Sequence, residues 1–260
     1  MITRPAAVAG SFYPDDPDVL ARNVDAMLFE AGEAQAEKSP KALIAPHAGY
    51  IYSGPTAACG YALLNANKIS RVVLLGPTHR VLLYGLALPE ADAFETPLGS
   101  IELDRDCMEK AQHLAQVSVE GSSHAFEHSL EVHLPFLQRK LNQFTLVPFA
   151  VGQARPAMVA EVLDLLWGGE ETLILISSDL SHYHAYETAR QIDAETADAI
   201  IRMESTISHE QACGATPING LLACAEKHPL KPKLIDLRNS GDTAGPHDQV
   251  VGYGAFAFYE

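Results

Sequence analysis

The chain has 260 residues, 47% of them hydrophobic, and 18 Lys and Arg against 33 Asp and Glu give it a formal charge of −15. Length and apolar content fit a single globular domain over 1–260. The acidic balance excludes nucleic acid, which needs clustered cations, and no apolar run reaches the roughly 18 residues of a membrane span.

In chain order, residues 17–31 space Leu20, Val24, Met27 and Leu28 at helical steps, with Asp16 as N-cap, Pro17 in the first turn and Gly32 as the stop. Residues 42–46 form an apolar run of the kind that buried parallel strands show, and an Ala-rich stretch over 54–65 is compatible with a helix. A second apolar run covers 72–77, and residues 86–104, with Thr96-Pro97-Leu98-Gly99 between strand-like pieces, read as a hairpin insert. Strands follow at 144–151 and 172–176, then helices over 187–203 and from Thr216-Pro217 to about 227, then strands at 233–238 and 250–258. Strands alternating with helices predict an α/β fold with a mixed, mostly parallel central sheet and helices on both faces. The N-terminus lacks a secretory apolar stretch, and the four cysteines, Cys59, Cys107, Cys213 and Cys224, form no Cys-x-x-Cys pair. A cytoplasmic protein with reduced thiols is expected.

In open α/β sheets, ligands bind beyond the carboxyl ends of the strands. Three strands each deliver a histidine there: His47 in Pro46-His47-Ala48-Gly49-Tyr50, His79 in Gly76-Pro77-Thr78-His79, and His182 after Ser177-Ser178-Asp179. His47 and His79 are candidate ligands of one metal ion. A third ligand of oxygen or imidazole would leave open positions, and Asp242 in Ser240-Gly241-Asp242 is the candidate, although Ser-Gly-Asp is also ordinary turn chemistry. His182 is a candidate acid/base and Asp179 its orienting carboxylate, or else the cap of the next helix. The cluster from His124 to Pro135 lacks His-Glu-x-x-His; if helical, it puts His124, His128 and Glu131 on one face. His128, Glu131 and Tyr50 are candidates for binding substrate, and His128 and Glu131 could equally pair with each other. No serine-hydrolase elbow, dinucleotide fingerprint or phosphate loop occurs.

Six ordered motifs carry a resemblance: Ala9-Gly10-Ser11-Phe12-Tyr13-Pro14, Pro46-His47-Ala48-Gly49-Tyr50, Leu75-Gly76-Pro77-Thr78-His79, Glu95-Thr96-Pro97-Leu98-Gly99, the stretch from Glu127 to Pro135, and Ser177-Ser178-Asp179. Together they resemble the Memo family, whose bacterial and archaeal members are labelled AmmeMemoRadiSam system protein B. That resemblance implies a fold like class III extradiol ring-cleaving dioxygenases, with His47 and His79 at the metal-ligand positions and His182 at the acid/base position. Asp242 falls near the third ligand, a glutamate in the dioxygenases and a cysteine in animal Memo proteins; a shift of one residue puts Thr243 there. The implied cofactor is Fe(II), with zinc or copper as alternatives, and the implied role is an oxidoreductase acting on a small molecule of aromatic or enediol type. The family name implies association with a radical-SAM protein and an AMMECR-type protein. A binding or signalling protein with a vestigial pocket and a zinc hydrolase are the competing expectations.

Overall fold

The structure is a computed structural model that describes residues 2–32 and 39–260. A short strand β1 (Thr3–Arg4) leads into helix α1 (Pro17–Ala31). Asp16 caps α1 by accepting from the Val19 N–H at 2.9 Å, and Leu20 and Val24, one turn apart, are its buried residues. Strand β2 (Ala42–Ala45), helix α2 (Tyr50–Tyr61) and strand β3 (Arg71–Pro77) follow. The helix begins earlier than the Ala-rich run suggests and contains Pro55. Pro55 frees only the carbonyl of Ile51, which sits in the first turn on a residue that is 68% exposed, so water can serve it.

Next come β4 (Leu86–Leu88), β5 (Ala93–Thr96), β6 (Gly99–Glu102), α3 (Arg105–Ala111), β7 (Val117–Val119), α4 (Ser122–Ala125), α5 (Leu134–Lys140) and β8 (Thr145–Val151). The chain ends with α6 (Pro156–Leu165), β9 (Thr172–Ser177), β10 (His182–His184), α7 (Tyr186–Ile201), α8 (Ala215–Cys224), β11 (Lys231–Asn239) and β12 (Val250–Tyr259). The expected hairpin is β5–β6, which pairs antiparallel with Thr96 opposite Gly99 and joins β1 in a small sheet of its own.

The main sheet has nine strands in the order β10-β12-β2-β9-β3-β8-β4-β7, with β11 also on β12. Its centre, β2, β9, β3 and β8, is parallel, and antiparallel pairs flank it at β12 and β4. Every residue of β2 and β9 is buried, and so are all but the first of β3 and β8. Since successive side chains point to opposite faces, both faces must be covered. Helices α1, α2 and α5 form one layer, with α2 on β2, β11 and β12; α6 and α8 form another, with α8 on β3 and β9; α7 lies on β11 and β12. Among the described residues no helix is long and apolar enough to cross a membrane.

The stretch from His124 to Glu131 is not one helix. After α4 the chain turns, and a short 3-10 segment covers Glu131–His133. Three side chains that a continuous helix would align therefore part: His124 bonds the Ala87 carbonyl beneath β4, His128 enters the crevice, and Glu131 turns to the N-terminal segment.

Candidate metal centre

The parallel strands β2, β3 and β9 end side by side, and the residues just beyond them build the site. His47 lies past β2, His79 past β3, and Asp179 past β9. His128 arrives from the loop between α4 and α5, drawn in by a close approach to β3. A Cβ on Gly76 would stand 2.7 Å from Ser129 Oγ and 2.9 Å from Leu130 Cδ2, so only glycine admits that loop. Two bonds hold it: Ser129 Oγ donates to the Pro77 carbonyl at 2.8 Å, and Ser177 Oγ donates to the Ser129 carbonyl at 2.6 Å.

Those bonds decide which ring nitrogens are free. The Ser177 hydroxyl spends its proton on Ser129, so His47 Nδ1, 2.6 Å from Ser177 Oγ, carries the hydrogen and Nε2 keeps its lone pair. Glu127 accepts from the His79 backbone N–H at 2.6 Å and its Oε1 lies 2.9 Å from His79 Nδ1, which leaves His79 Nε2 free. The same Oε1 accepts from the backbone N–H groups of His128 and Ser129, each at 2.9 Å. His128 Nδ1 stands 3.3 Å from Glu127 Oε1 but outside hydrogen-bonding geometry, and it is buried with no partner. Ring centroids are 5.2 Å apart for His47 and His79, 5.4 Å for His47 and His128, and 4.6 Å for His79 and His128. One candidate ligand atom from each of the three lies within 4.8 Å of the others.

Burial sets the protonation of this cluster. It pushes the His47 imidazole well below its ordinary range, and it outweighs the Glu127 carboxylate to bring His128 down to about 4. Both rings are therefore neutral near pH 7, the form that can bind a metal. Burial works to raise Glu127, but the His79 ring and backbone bonds and the Ser129 N–H overcome it and hold the carboxyl down at about 2. Asp179 goes the other way: burial lifts it to about 7 against the N–H groups of His47 and Ala48. The cluster opens into a cavity of about 600 Å³, a size typical of small-molecule sites, walled by Phe12, Tyr52, Tyr183 and Tyr253 and bordered by Arg80 and His182.

Of the residues singled out in the sequence, His47, His79, His128, Asp179 and His182 meet in this cavity. Asp179 is not placed as the orienting partner of His182: its Oδ1 accepts from the His47 N–H at 2.8 Å, so it shapes the His47 turn, and its Oδ2 is 4.0 Å from His47 Nε2. Asp242 lies outside the cavity lining. It closes a capping box with Asn239, accepting from that N–H at 2.8 Å, and it also accepts from the Tyr186 hydroxyl; the turn chemistry of Ser-Gly-Asp occupies both its oxygens. Thr243 Oγ1 donates to the Ser240 carbonyl at 3.1 Å. The third member of the candidate cluster is His128, and Asp242 is not part of it.

Glu131 and Tyr50 do not reach the cavity either. Glu131 is fully buried and accepts from the Arg4 guanidinium, the Ala7 and Val8 N–H groups and the Tyr13 hydroxyl, which ties the N-terminal segment to the core. Tyr50 donates to the Val132 carbonyl at 2.8 Å, and Tyr52, two residues on, lines the cavity in its place. Residues whose part here was not foreseen are Glu127, Ser177 and Cys213, whose Sγ lies 3.5 Å from His47 Nε2. Glu127 had a visible signal, its place beside His128 in the densest histidine cluster. Cys213 had none, being 166 residues from His47. All four cysteines are free.

A family model described as Memo-like protein matches residues 4–257. A MEMO1 family protein of Aquifex aeolicus is 36% identical over 274 residues, covering 99% of this chain and all 100% of the relative. Another from Methanosarcina barkeri is 36% identical over 267 residues, covering 97% and 98%, and one from Saccharolobus solfataricus is 34% identical over 278 residues with the same coverage. Among solved structures, the crystal structure of uncharacterized protein JW3007 from Escherichia coli K12 aligns with a TM-score of 0.49 at 12% identity, covering 82% of this chain and 98% of that one.

Proposed function

The chain belongs to the Memo family, and we propose that it is a metalloprotein in which His47, His79 and His128 hold one first-row divalent ion, with His182 placed to move a proton on a bound small molecule. The observation that carries this reading is the cluster of three imidazoles, brought from three separate segments, whose candidate ligand atoms all lie within 4.8 Å of one another.

A bound ion supplies Lewis acidity, and iron or copper adds one-electron redox chemistry. The protein's own groups do the rest. Glu127 and Ser177 each engage the Nδ1 of one imidazole, turning Nε2 of His79 and His47 inward. His182, half-buried and held below its ordinary range by burial, stays neutral and accepts a proton near pH 7. Phe12, Tyr52, Tyr183 and Tyr253 give the cavity an aromatic lining. On this reading the protein is an iron-dependent oxidoreductase. The donor set also supports a second reading: three imidazoles with no carboxylate among them suit zinc, and with it hydrolysis.

The test is metal analysis of protein purified without chelators, with His47→Ala, His79→Ala, His128→Ala and Asp242→Ala beside the wild type. One equivalent of metal in the wild type and in Asp242→Ala, and loss of it in each histidine variant, is expected. Iron favours the oxidoreductase and zinc the hydrolase. Full metal content in His128→Ala would refute the three-imidazole site.

A further inference from the structure

The cavity pairs a metal-type cluster with a cation that has no counter-charge. Arg80 borders it, follows the proposed ligand His79 directly in the chain, and has no hydrogen-bond or ion-pair partner among the described residues. Other arginines of this acidic chain are engaged: Arg71 with Asp104, Arg139 with Asp25 and Arg238 with Asp236. Among the described residues Asp179 is the acidic side chain that lines the cavity, and it is taken up by the amides of His47 and Ala48. An unpaired guanidinium beside a site for a dication is electrostatically unfavourable unless an anion comes between them.

A second, independent feature borders the same cavity. Tyr183 has φ 61°, in the left-handed region that a bulky residue enters only at a cost, yet it is a tyrosine and not a glycine. The residue is 69% exposed and borders the cavity, and its ring meets His182 at 5.8 Å between centroids. This backbone holds a largely exposed tyrosine at the edge of the cavity. Phe12 and Tyr52 add further aromatic surface to the cavity lining.

We infer that this cavity takes an aromatic carboxylate, its carboxylate held by the forked donors of Arg80 and its ring laid against Tyr183. The guanidinium matches a carboxylate with two parallel hydrogen bonds, which a neutral amide of the same shape cannot draw with equal strength. The inference rests on the reading of this cavity as the ligand site, and it names the class of molecule that the site receives. Arg80 and Tyr183 then act as specificity residues, distinct from the groups that hold the ion.

The experiment compares three probes, benzoate, benzamide and acetate, by ligand-observed NMR titration of the full chain, metal-stripped and metal-loaded. Benzoate should bind the wild type about tenfold more tightly than benzamide, the scale of one charge-assisted pair at a partly exposed site, and more tightly than acetate, which lacks the ring. Arg80→Gln should bring benzoate to the level of benzamide and leave benzamide unchanged. Tyr183→Gly, which also relieves the backbone, should weaken both aromatic probes and leave acetate unchanged. A benzoate preference that survives Arg80→Gln overturns the inference, and so does wild-type protein that binds benzoate no better than acetate. The metal-stripped arm separates this from the metal proposal: an Arg80-dependent preference there stands even if the protein retains no ion, whereas a loaded protein without the preference defeats this inference alone.

Discussion

Replacing Asp193 by Asn should stabilise the protein at pH 8 and leave it nearly unchanged at pH 4. Asp193 lies in α7 with Oδ1 accepting from the Ser181 N–H at 3.0 Å, and so holds the backbone one residue before His182. It is 2% exposed and packs against Gly252 of β12, where a Cβ would stand 2.0 Å from its Oδ2. Burial raises its carboxyl from 3.8 to about 6, against the Ser181 bond. Below pH 3.8 the folded and unfolded states are both protonated and the group is neutral in its effect. Between pH 3.8 and 6 the unfolded state releases the proton while the folded state keeps it, so stability falls, and above pH 6 the full cost is present. Two units at 1.36 kcal/mol each give about 3 kcal/mol. Asparagine keeps the acceptor for the Ser181 N–H, carries no charge, and offers an amide hydrogen to Ser181 Oγ, which is buried without a partner. Thermal melts at pH 4 and pH 8 read the result. The variant should gain roughly 5–10 °C over the wild type at pH 8 and about none at pH 4, given 2–4 °C per kcal/mol at this size. A variant that melts at or below the wild type at pH 8 would show that Asp193 is ionised at no cost in the fold, and the reasoning fails.

Glu127→Gln should lower metal affinity 10- to 100-fold, because the amide can serve the backbone N–H groups of His79 and His128 but no longer anchors the His79 ring as a charged acceptor; competition with a chromophoric chelator measures it. Gly76→Ala should cost about 1–3 kcal/mol in urea denaturation and also weaken metal binding, since the added methyl displaces Ser129 and with it His128; unchanged stability would mean the loop is not pinned at β3. Glu131→Gln should destabilise by roughly 3–5 kcal/mol through the uncompensated Arg4, yet leave metal content per folded molecule at the wild-type level, which separates an anchor from a ligand.

The central strands and main helices of this fold were legible because their burial pattern is local. Continuous apolar runs at β2, β3, β8 and β9, caps such as Asp16, and the Thr96–Gly99 turn each act through neighbours in the chain. Parallel strands must then end at one edge, so the sequence by itself determined that His47 and His79 share a crevice with Asp179 and His182. Tertiary structure decided the rest. Whether Asp242 faced the cavity or its own turn depended on Tyr186 in α7; whether Glu131 joined the pocket depended on Arg4, 127 residues away. His128 became the third imidazole because Gly76 lets a loop close onto β3, a fact of packing between segments that no periodicity records. Strand ends obey local rules, whereas the choice among nearby polar side chains is made by partners that only folding brings within hydrogen-bonding reach.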